Sequence, residues 1–127
     1  MIRFTIYGAP RTLKNHGWRT KSGKQMPSHS FAEWNKQAQM QLAVKRSGRD
    51  GLRMWTTEVN CRSLFFRDAN TGDAVGYYQA LADALEEGLI VANDRLIVSW
   101  DGSRLLKDAA HPRIEVELTP ADCSGAS

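Results

Sequence analysis

Acidic side chains are concentrated in one part of the sequence and basic side chains in another. Residues 68–101 contain seven acids and a single base, Arg95, whereas residues 1–32 contain six bases and no acid. Carboxylates that converge on one point can hold a divalent cation such as Mg²⁺, and Lys and Arg side chains attract phosphate. The distribution therefore favours a metal-dependent enzyme that acts on a phosphate polymer, although ordinary protein surfaces also segregate charge.

Distance along the predicted elements decides which of the acids can share a cation. Asp83 lies beyond Asp73 on one predicted helix by about 15 Å of rise, so these two carboxylates cannot share an ion. A predicted strand separates Asp101 from Asp94 by roughly 20 Å, which excludes that pair as well. Asp73 starts the helix, and Asp94 lies in the segment that returns from it. We predict that these two carboxylates hold the cation, with Asp68 as a candidate third ligand.

Each member of the predicted pair also has an ordinary structural interpretation. Asp is among the best helix N-caps, because its oxygen accepts the unpaired backbone N–H groups of the first turn, so Asp73 alone would be a cap. Asn-Asp dipeptides favour turns, so Asp94 alone would be a turn residue. Glu86 and Glu87 are typical of a solvated helix face. The metal hypothesis therefore depends on the acids acting together.

The basic residues lie in a long loop rich in Pro, Gly, Ser and Lys, with a possible hairpin at Ser22-Gly23. Loops of this length in compact domains are usually functional or mobile. Basic side chains supply phosphate contacts, and an aromatic ring can stack on an unpaired base. The alternatives are a solvated loop and, for Trp18, a lid over the core. The predicted DNA contacts are Arg11, Lys14, Trp18, Arg19, Lys21 and Lys24.

The elements that must position these residues follow from hydrophobic periodicity. Strands are predicted at 3–8, 54–66, 95–100 and 111–118, and helices at 30–48 and 74–87. The order strand, helix, strand, helix, strand, strand predicts an α+β (mixed α/β) fold with one mixed sheet and two main helices. Residues 1–119 are expected to form a single domain, and 120–127 a flexible tail.

Both helices carry an apolar stripe. The first has a capping-box spacing at Ser30 and Glu33, and Gly88 is expected to end the second. The residues predicted to share the buried face of the first helix are Phe31, Trp34, Ala38, Leu42 and Val44. Those of the second are Val75, Tyr78, Leu81, Ala82 and Leu85.

Several other classes of protein have little support in the residues. Cys61 and Cys123 show no metal or disulfide spacing, and Cys61 is expected to be a buried thiol in a strand. The segment after Gly8 lacks the Gly-Lys-Ser/Thr end of a phosphate-binding P-loop. No apolar run is long enough to span a bilayer and no signal peptide is evident, so we expect a cytoplasmic protein with neither a membrane partner nor an organic cofactor.

Several segments together resemble the RusA family of Holliday-junction resolvases, which is common in phages and prophages. Residues 72–98, GDAVGYYQALADALEEGLIVANDRLIV, resemble the family's D-x-D-N-x-x-K helix start, its D-A-L helix centre and its D-D-x-x-(I/V) turn. The segments GAPRTLKN and PSHSFAEW are similar to the family's first loop and the start of its first helix. The resemblance covers most of the chain, without a gap from Asp73 through Asp83-Ala84-Leu85 to Asp94.

The resemblance implies a homodimer that grips a four-way DNA junction in recombination and repair. It also implies that two opposing strands are nicked with Mg²⁺ or Mn²⁺. Carried over residue by residue, Asp73 matches the first motif Asp and Asp94 the last. Gln79 stands at the position of the family's catalytic Lys and is a catalytic candidate with the two acids.

Four positions depart from the family pattern. Val75 stands at the second motif Asp, Gly76 at the Asn, and Asn93 at the first Asp of the Asp-Asp pair. Gln79 can donate a hydrogen bond but lacks the charge of Lys, and such donors are commonly worth about 10²–10³ in rate. These departures leave three alternatives open. The site is rebuilt with Asp68, Asn93 or groups from the long loop, the enzyme is slow, or the chain binds junctions without cleaving them.

Three hypotheses follow. The first is a metal-dependent, junction-selective endonuclease, and the second is a non-catalytic dimer that binds DNA junctions on the same scaffold. The third is a small phage interaction protein that uses the fold only as a dimer. Strongly salt-dependent DNA binding would exclude the third, and metal-dependent nicking would separate the first from the second.

Overall fold

The first strand, β1 (Ile2–Tyr7), alternates in burial along its length, with Phe4 and Ile6 pointing into the core. The computed structural model describes residues 1–12, 18–19, 25–26, 29–47, 52–70 and 72–121. The elements after β1 are the strands β2 (Trp18–Arg19) and β3 (Gln25–Met26), the helix α1 (His29–Ser47), the strand β4 (Val59–Arg67), the helix α2 (Ala74–Glu87), a 3₁₀ helix (Asp94–Leu96), and the strands β5 (Ile97–Ser99), β6 (Arg104–Lys107) and β7 (Arg113–Pro120).

Five of the described strands form one mixed sheet. β7 lies between β1 and β4 and is antiparallel to both. The other side of β4 is covered first by β5, opposite Val59 and Asn60, and then by β6, opposite Leu64–Arg67. β5 and β6 are both parallel to β4. After β4 the chain must therefore return to the end of the sheet where β4 begins, and α2 makes this crossover before β5.

One face of the sheet carries the hydrophobic core, and both helices contribute to it. Phe4 lies opposite Val116, and Ile6 lies opposite Ile114, so their side chains share this face. These residues join Leu42 of α1 in one buried cluster. The apolar residues of the alternating strands and of the helical stripes therefore pack into a single core. The fold is α+β, the class that the order of predicted elements indicates.

The orientation of α2 on the sheet is set by its large buried side chains. Leu81 and Leu85 are fully buried, and Tyr77 packs with its ring 5.5 Å from the ring of Phe65. This packing turns Val75 to the surface, where it is 64% exposed. The prediction that Val75 belongs to the buried stripe is therefore wrong, because the Tyr77 face of the helix is the one that meets the sheet.

The stripe predicted for α1 is correct except at its last member. Phe31, Trp34, Ala38 and Leu42 are buried, at the helical spacing of three to four residues. Val44 is 70% exposed, because it lies two positions after Leu42 and so on another side of the helix. α1 begins at His29, one residue before its predicted start, so Ser30 lies in its first turn.

Several strand boundaries differ from prediction. The strand predicted at 54–66 begins only at Val59, and Trp55 makes an isolated bridge to Val91 instead. The strand predicted at 95–100 is shortened to Ile97–Ser99, because the 3₁₀ helix takes its first two residues. β6 was not predicted. The pairing of Trp18 with Met26 confirms a hairpin in the long loop, while its turn at Ser22-Gly23 lies outside the described residues.

The remaining predictions concern the C-terminal tail, the two cysteines and membrane spans. β7 continues through Pro120, and the Ala121 N–H donates to the Glu58 carbonyl, so the last strand extends beyond residue 119. Cys61 is a buried thiol in β4, as predicted, and burial raises its pKa to about 12. Cys123 lies outside the described residues. None of the helices in the described part is long and apolar enough to cross a membrane.

Two substitutions on α1 test this packing. Leu42→Ala is expected to lower the free energy of unfolding by about 2–5 kcal/mol, because it opens a cavity in the core. Val44→Ala should change it by less than about 0.5 kcal/mol, since that side chain is mostly in water. Urea denaturation of both variants measures the difference. Equal losses at the two positions would contradict the orientation of α1.

Candidate functional site

Asp73 is the N-cap of α2. Its backbone is extended, with φ −113° and ψ 165°, and its Oδ1 accepts the Gly76 N–H at 2.9 Å. Gly72 precedes it with φ +80°, and a Cβ at that position would lie 2.9 Å from the Tyr77 ring. The capping interpretation of Asp73 is confirmed. The carboxylate is therefore held at the first turn by the helix itself.

Asp94 lies beside the second half of the same helix. α2 ends at Gly88, and the chain turns through Leu89, whose φ is +59°. Asp94 then opens the 3₁₀ helix, and its backbone N–H donates to Glu86 Oε1 at 2.7 Å. The side chain of Asn93 caps this short helix by accepting the Arg95 N–H at 2.9 Å. Asn93 thus performs a structural role at the position where the family pattern has an acid.

A cleft of about 350 Å³ separates α2 from this returning segment. Val75, Tyr78 and Gln79 line it from the helix, at spacings that place them on one helical face. Asp94, Ile97 and Trp100 line it from the other side. Two of the predicted catalytic residues, Gln79 and Asp94, therefore face one cavity. Asp73, the N-cap of α2, is not among the described residues that line the cavity.

The amide of Gln79 is engaged by a neighbouring acid. Its Nε2 donates to Asp83 Oδ1 at 2.8 Å, one turn further along α2. Burial raises the pKa of Asp83, and the negative charges of Asp94, Glu86 and Glu87 raise it further, while the Gln79 hydrogen bond opposes this shift. The cleft therefore borders a patch of negative potential at the second half of α2.

A stacked aromatic pair, the aromatic wall, joins α2 to the returning segment at the cleft. The rings of Tyr78 and Trp100 lie 4.7 Å apart and within 5° of parallel. The turn that follows Trp100 is attached to β4 by side-chain bonds. Asn60 Oδ1 accepts the Asp101 N–H at 2.8 Å, and Ser103 Oγ accepts the Ser63 N–H at 2.9 Å. These bonds fix the aromatic wall relative to the sheet.

Arg11 and Asp68 form a two-pronged ion pair. Arg11 Nη1 and Nη2 donate to Asp68 Oδ1 and Oδ2 at 2.9 and 3.0 Å. The hydrogen bonds from Arg11 hold the pKa of the Asp68 carboxyl below its usual range, although partial burial opposes the shift. Fork-shaped contacts of this kind are among the stronger charged interactions in proteins. Arg11 was predicted to contact phosphate and Asp68 to bind a metal, and here each engages the other.

The ion pair also brings the start of the basic loop to α2. Thr12 follows Arg11 and is buried. A Cβ added to Gly76 would lie 3.2 Å from Thr12 Cγ2 and 3.0 Å from Asp73 Oδ1. Gly76, which stands at the Asn position of the family pattern, thus allows the loop to pack on the first turn of the helix. Thr12, at the start of the loop, therefore lies beside the first turn of α2.

The remaining predicted DNA contacts lie in the loop itself. Trp18 and Arg19 form β2, whose backbone pairs with β3. Lys14, Lys21 and Lys24 lie outside the described residues.

The resemblance implies Mg²⁺ or Mn²⁺, and the donors in the described residues can be tested against that expectation. Of the described residues that line the cleft, Asp94 is the one carboxylate, and it lies beside the amide of Gln79. Among the described residues, no group of three or more His, Cys, Asp or Glu could hold a metal ion. These donors do not fit a cation enclosed by protein ligands alone. They do fit the common arrangement in which Mg²⁺ is held by one or two carboxylates with water and substrate phosphates.

Sequence reasoning missed the aromatic wall. Trp100 was predicted only as the end of a strand, and Tyr78 only as part of a buried stripe. No local pattern links two aromatic residues on different elements, so the pairing could be found only from the docked elements. The attachment of the turn by Asn60 and Ser103 likewise joins β4 to a segment about 40 positions away.

Two comparisons with known proteins yield no relative. No family model matches the chain, and no curated protein matches it.

The Arg11–Asp68 pair should contribute to stability in a pH-dependent way. Because the folded-state pKa of Asp68 is depressed, its contribution is present above the unfolded value of about 3.9 and is lost as pH falls through the folded value. Asp68→Asn is expected to lower the free energy of unfolding by about 0.5–1 kcal/mol near neutral pH. Urea denaturation of variant and wild type at a series of pH values measures this loss.

Asp101→Asn, on an exposed turn, is the matched control and should change stability by less than about 0.5 kcal/mol. A deficit in Asp68→Asn that stays constant down to strongly acidic pH would contradict the ion-pair interpretation.

Proposed function

We propose that this chain is a structure-selective DNA endonuclease of the RusA type. In this proposal it binds four-way (Holliday) junctions as a homodimer and nicks them with Mg²⁺ or Mn²⁺. Residues 72–98 carry the sequence resemblance on which the family and the dimer depend.

The principal support is the composition of the cleft between α2 and the returning segment. Val75, Gln79 and Asp94 stand at three positions that the resemblance assigns to the family's active site, and all three line this one cavity. These positions lie up to 19 residues apart in the sequence. A chance resemblance to the family motif would not require them to lie around the same cavity. Their common location is the result expected if the motif marks a working site.

The basic loop supports a nucleic-acid substrate. Its first residues are anchored beside Asp73 by the Arg11–Asp68 pair and by the contact of Thr12 with Gly76. A phosphate backbone that passes these first residues would therefore lie next to the first turn of α2. Arg19, Lys14, Lys21 and Lys24 are the proposed phosphate contacts, with Trp18 as a ring that can stack on an unpaired base.

Asp94 and Asp73 are the carboxylates proposed to hold the cation together with phosphates of the DNA. A bound divalent cation would supply polarisation of the scissile phosphate and a more acidic water. In this proposal, side chains of the protein orient the DNA strand that is cut. Gln79 offers an amide to the cleft edge, and Arg11 acts as a positioning residue that keeps the loop against α2.

A second candidate is a non-catalytic protein that binds DNA junctions on the same scaffold. A specific observation favours it, because an exposed apolar side chain, Val75, occupies the cleft position where the family has a carboxylate. Asp68 is also neutralised by Arg11, and Asp73 Oδ1 is engaged by the Gly76 N–H. This candidate predicts tight junction binding with no strand cleavage.

One gel series distinguishes the two candidates. The protein is mixed with a synthetic four-way junction or a matched linear duplex, in EDTA, Mg²⁺ or Mn²⁺. Symmetric nicking of the junction is expected. It should fall by about 10²-fold or more in Asp94→Asn and Asp73→Asn, because each loses a carboxylate charge that is proposed to hold the cation. Asp101→Asn is the control and should nick as the wild type does.

Binding that shifts the junction in every metal, without nicks, would support the non-catalytic candidate. Binding should also weaken steeply as salt is raised, since phosphate contacts release counterions. Absence of any salt-dependent DNA binding would reject both candidates.

Restoring the family residues should increase the nicking rate. Val75 is exposed and can be replaced by Asp without loss of core packing, and a Lys at position 79 can pair with Asp83 one turn away. Val75→Asp with Gln79→Lys is expected to raise the single-turnover rate by about 10²-fold. Val98→Lys, on the exposed face of β5, adds a charge outside the cleft and serves as control. An unchanged rate in the double variant would contradict the assignment of the cleft.

A further inference from the structure

Two parallel strands, β4 and β6, end side by side at the end of the sheet where α2 begins. Their register pairs Arg67 with Lys107, and these are the last residues of the two strands. In open sheets with parallel strands, ligands commonly bind just beyond the carboxyl ends of the strands. The side chains that close β4 and β6 therefore occupy a position that suits ligand binding.

Arg67 and Lys107 lie on the face of the sheet that carries the helices. Side chains alternate between the two faces along a strand, and Phe65 and Leu105, two positions earlier, both pack in the core. The guanidinium of Arg67 agrees with this placement, because its Cζ lies 5.8 Å from the centre of the Tyr77 ring on α2. Two cationic side chains are thus neighbours beside the first turns of α2.

The acid that follows each of these two bases is engaged by an arginine from another part of the chain. Asp68 is held by the two-pronged contact of Arg11. Asp108 Oδ2 accepts a hydrogen bond of 3.0 Å from Arg113, which also binds Glu115. Hydrogen bonds from these arginines hold the pKa of both aspartates below the usual range. Both acids are therefore charged and already paired at neutral pH.

The two bases differ in how firmly they are held. Arg67 Nε donates to the Leu106 carbonyl at 3.1 Å, and the Asp108 N–H donates to the Arg67 carbonyl at 2.9 Å. These bonds join the ends of β4 and β6, so the distance between the two cationic residues is set before a ligand arrives, which lowers the entropic cost of binding. Lys107 is exposed and makes no ion pair with the described residues.

We propose that Arg67 and Lys107 bind one backbone phosphate of the DNA strand that passes Asp73, an inference that rests on the proposed function. A guanidinium and an ammonium both donate hydrogen bonds to phosphate oxygens. The pair lies close to the start of α2, because the Tyr77 ring beside Arg67 also approaches Gly72, where an added Cβ would lie 2.9 Å from it. Both bases act as positioning residues, since they hold the strand and leave the reacting atoms to the carboxylates.

The charges along α2 give the strand a direction of approach. The second half of the helix carries Asp83, Glu86 and Glu87, whose negative charges act on one another. A polyanion is repelled from that half and attracted to the end where the two bases lie. The DNA backbone is therefore expected to reach the cleft from the end of the sheet where β4 and β6 finish.

The salt dependence of binding tests the inference. In EDTA, where no strand is cut, Lys107→Ala is expected to bind a four-way junction about fivefold more weakly at physiological salt. The slope of log affinity against log salt should become less steep by about 0.9, because one phosphate contact is lost. Lys107→Arg, which keeps the charge, should bind as the wild type does. Lys36→Ala, at an exposed position of α1, removes the same charge and is the matched control.

Uncharged phosphate analogues identify the contact itself. A methylphosphonate linkage is placed at one position after another around the branch point of the junction. The wild type is expected to lose about fivefold in affinity at the contacted position, and Lys107→Ala should lose nothing further there. Thermal melts verify that all the variants fold. Equal salt slopes for Lys107→Ala and Lys36→Ala, or additive losses at every position, would overturn the inference while leaving junction binding and nicking intact.

Failure of the proposed function gives a different result. If the junction binds but is cut in no metal, the nuclease proposal fails, and the measurements in EDTA still decide for or against the phosphate contact. If no DNA binds, the proposed function and the phosphate contact are rejected together.

Discussion

The docking of α2 on the sheet is the constraint on which the rest of this structure depends. α2 connects β4 to parallel neighbours, and its Tyr77, Leu81 and Leu85 must be buried against the sheet. Once that face is buried, the rotation of the helix is set. Val75 and Gln79 are then directed at the segment that returns after Gly88, and a cleft forms between them and Asp94. The location of the candidate site is thus a consequence of core packing.

Among the described residues, one ion pair and one close contact hold the start of the long basic loop near this helix. Arg11 binds Asp68 just before the helix, and Thr12 packs on Gly76 in its first turn. The lack of a Cβ at Gly76 is what permits that approach. The positive and negative parts of the sequence therefore meet at a defined place in the fold, with the base-rich loop starting where the acid-rich helix starts. Such an arrangement suits a polyanionic ligand that must be held near carboxylates.

The two cavities differ in the chemistry they offer. The cleft beside α2 borders Asp83, whose pKa is raised by burial and by its acidic neighbours. Its described lining includes the carboxylate of Asp94 and the stacked aromatic wall. A groove between the end of β1 and α1 is lined by Glu33 and by buried Trp34, whose indole N–H has no acceptor among the described residues.

The sequence alone determined the features that depend on neighbours within a few residues. Asp73 and Gly88 mark the ends of α2, alternation marks β1 and β7, and the separation of charge is visible at once. The sequence reveals these features because a cap, a turn or an amphipathic face depends on residues only a few positions apart. Its errors occurred at Val44 and Val75, where an apolar side chain fits the period and only packing reveals that it faces water.

Tertiary structure alone decided which distant residues meet. Arg11 and Asp68 are 57 positions apart, and their residue types alone predict a different ligand for each. Tyr78 and Trp100 stack across two elements, and Tyr7 reaches Gln41 across a long loop. These contacts depend on how helices and strands dock, and that is governed by the summed burial of many side chains. No single segment contains that information, so the composition of both cavities became visible only in the folded chain.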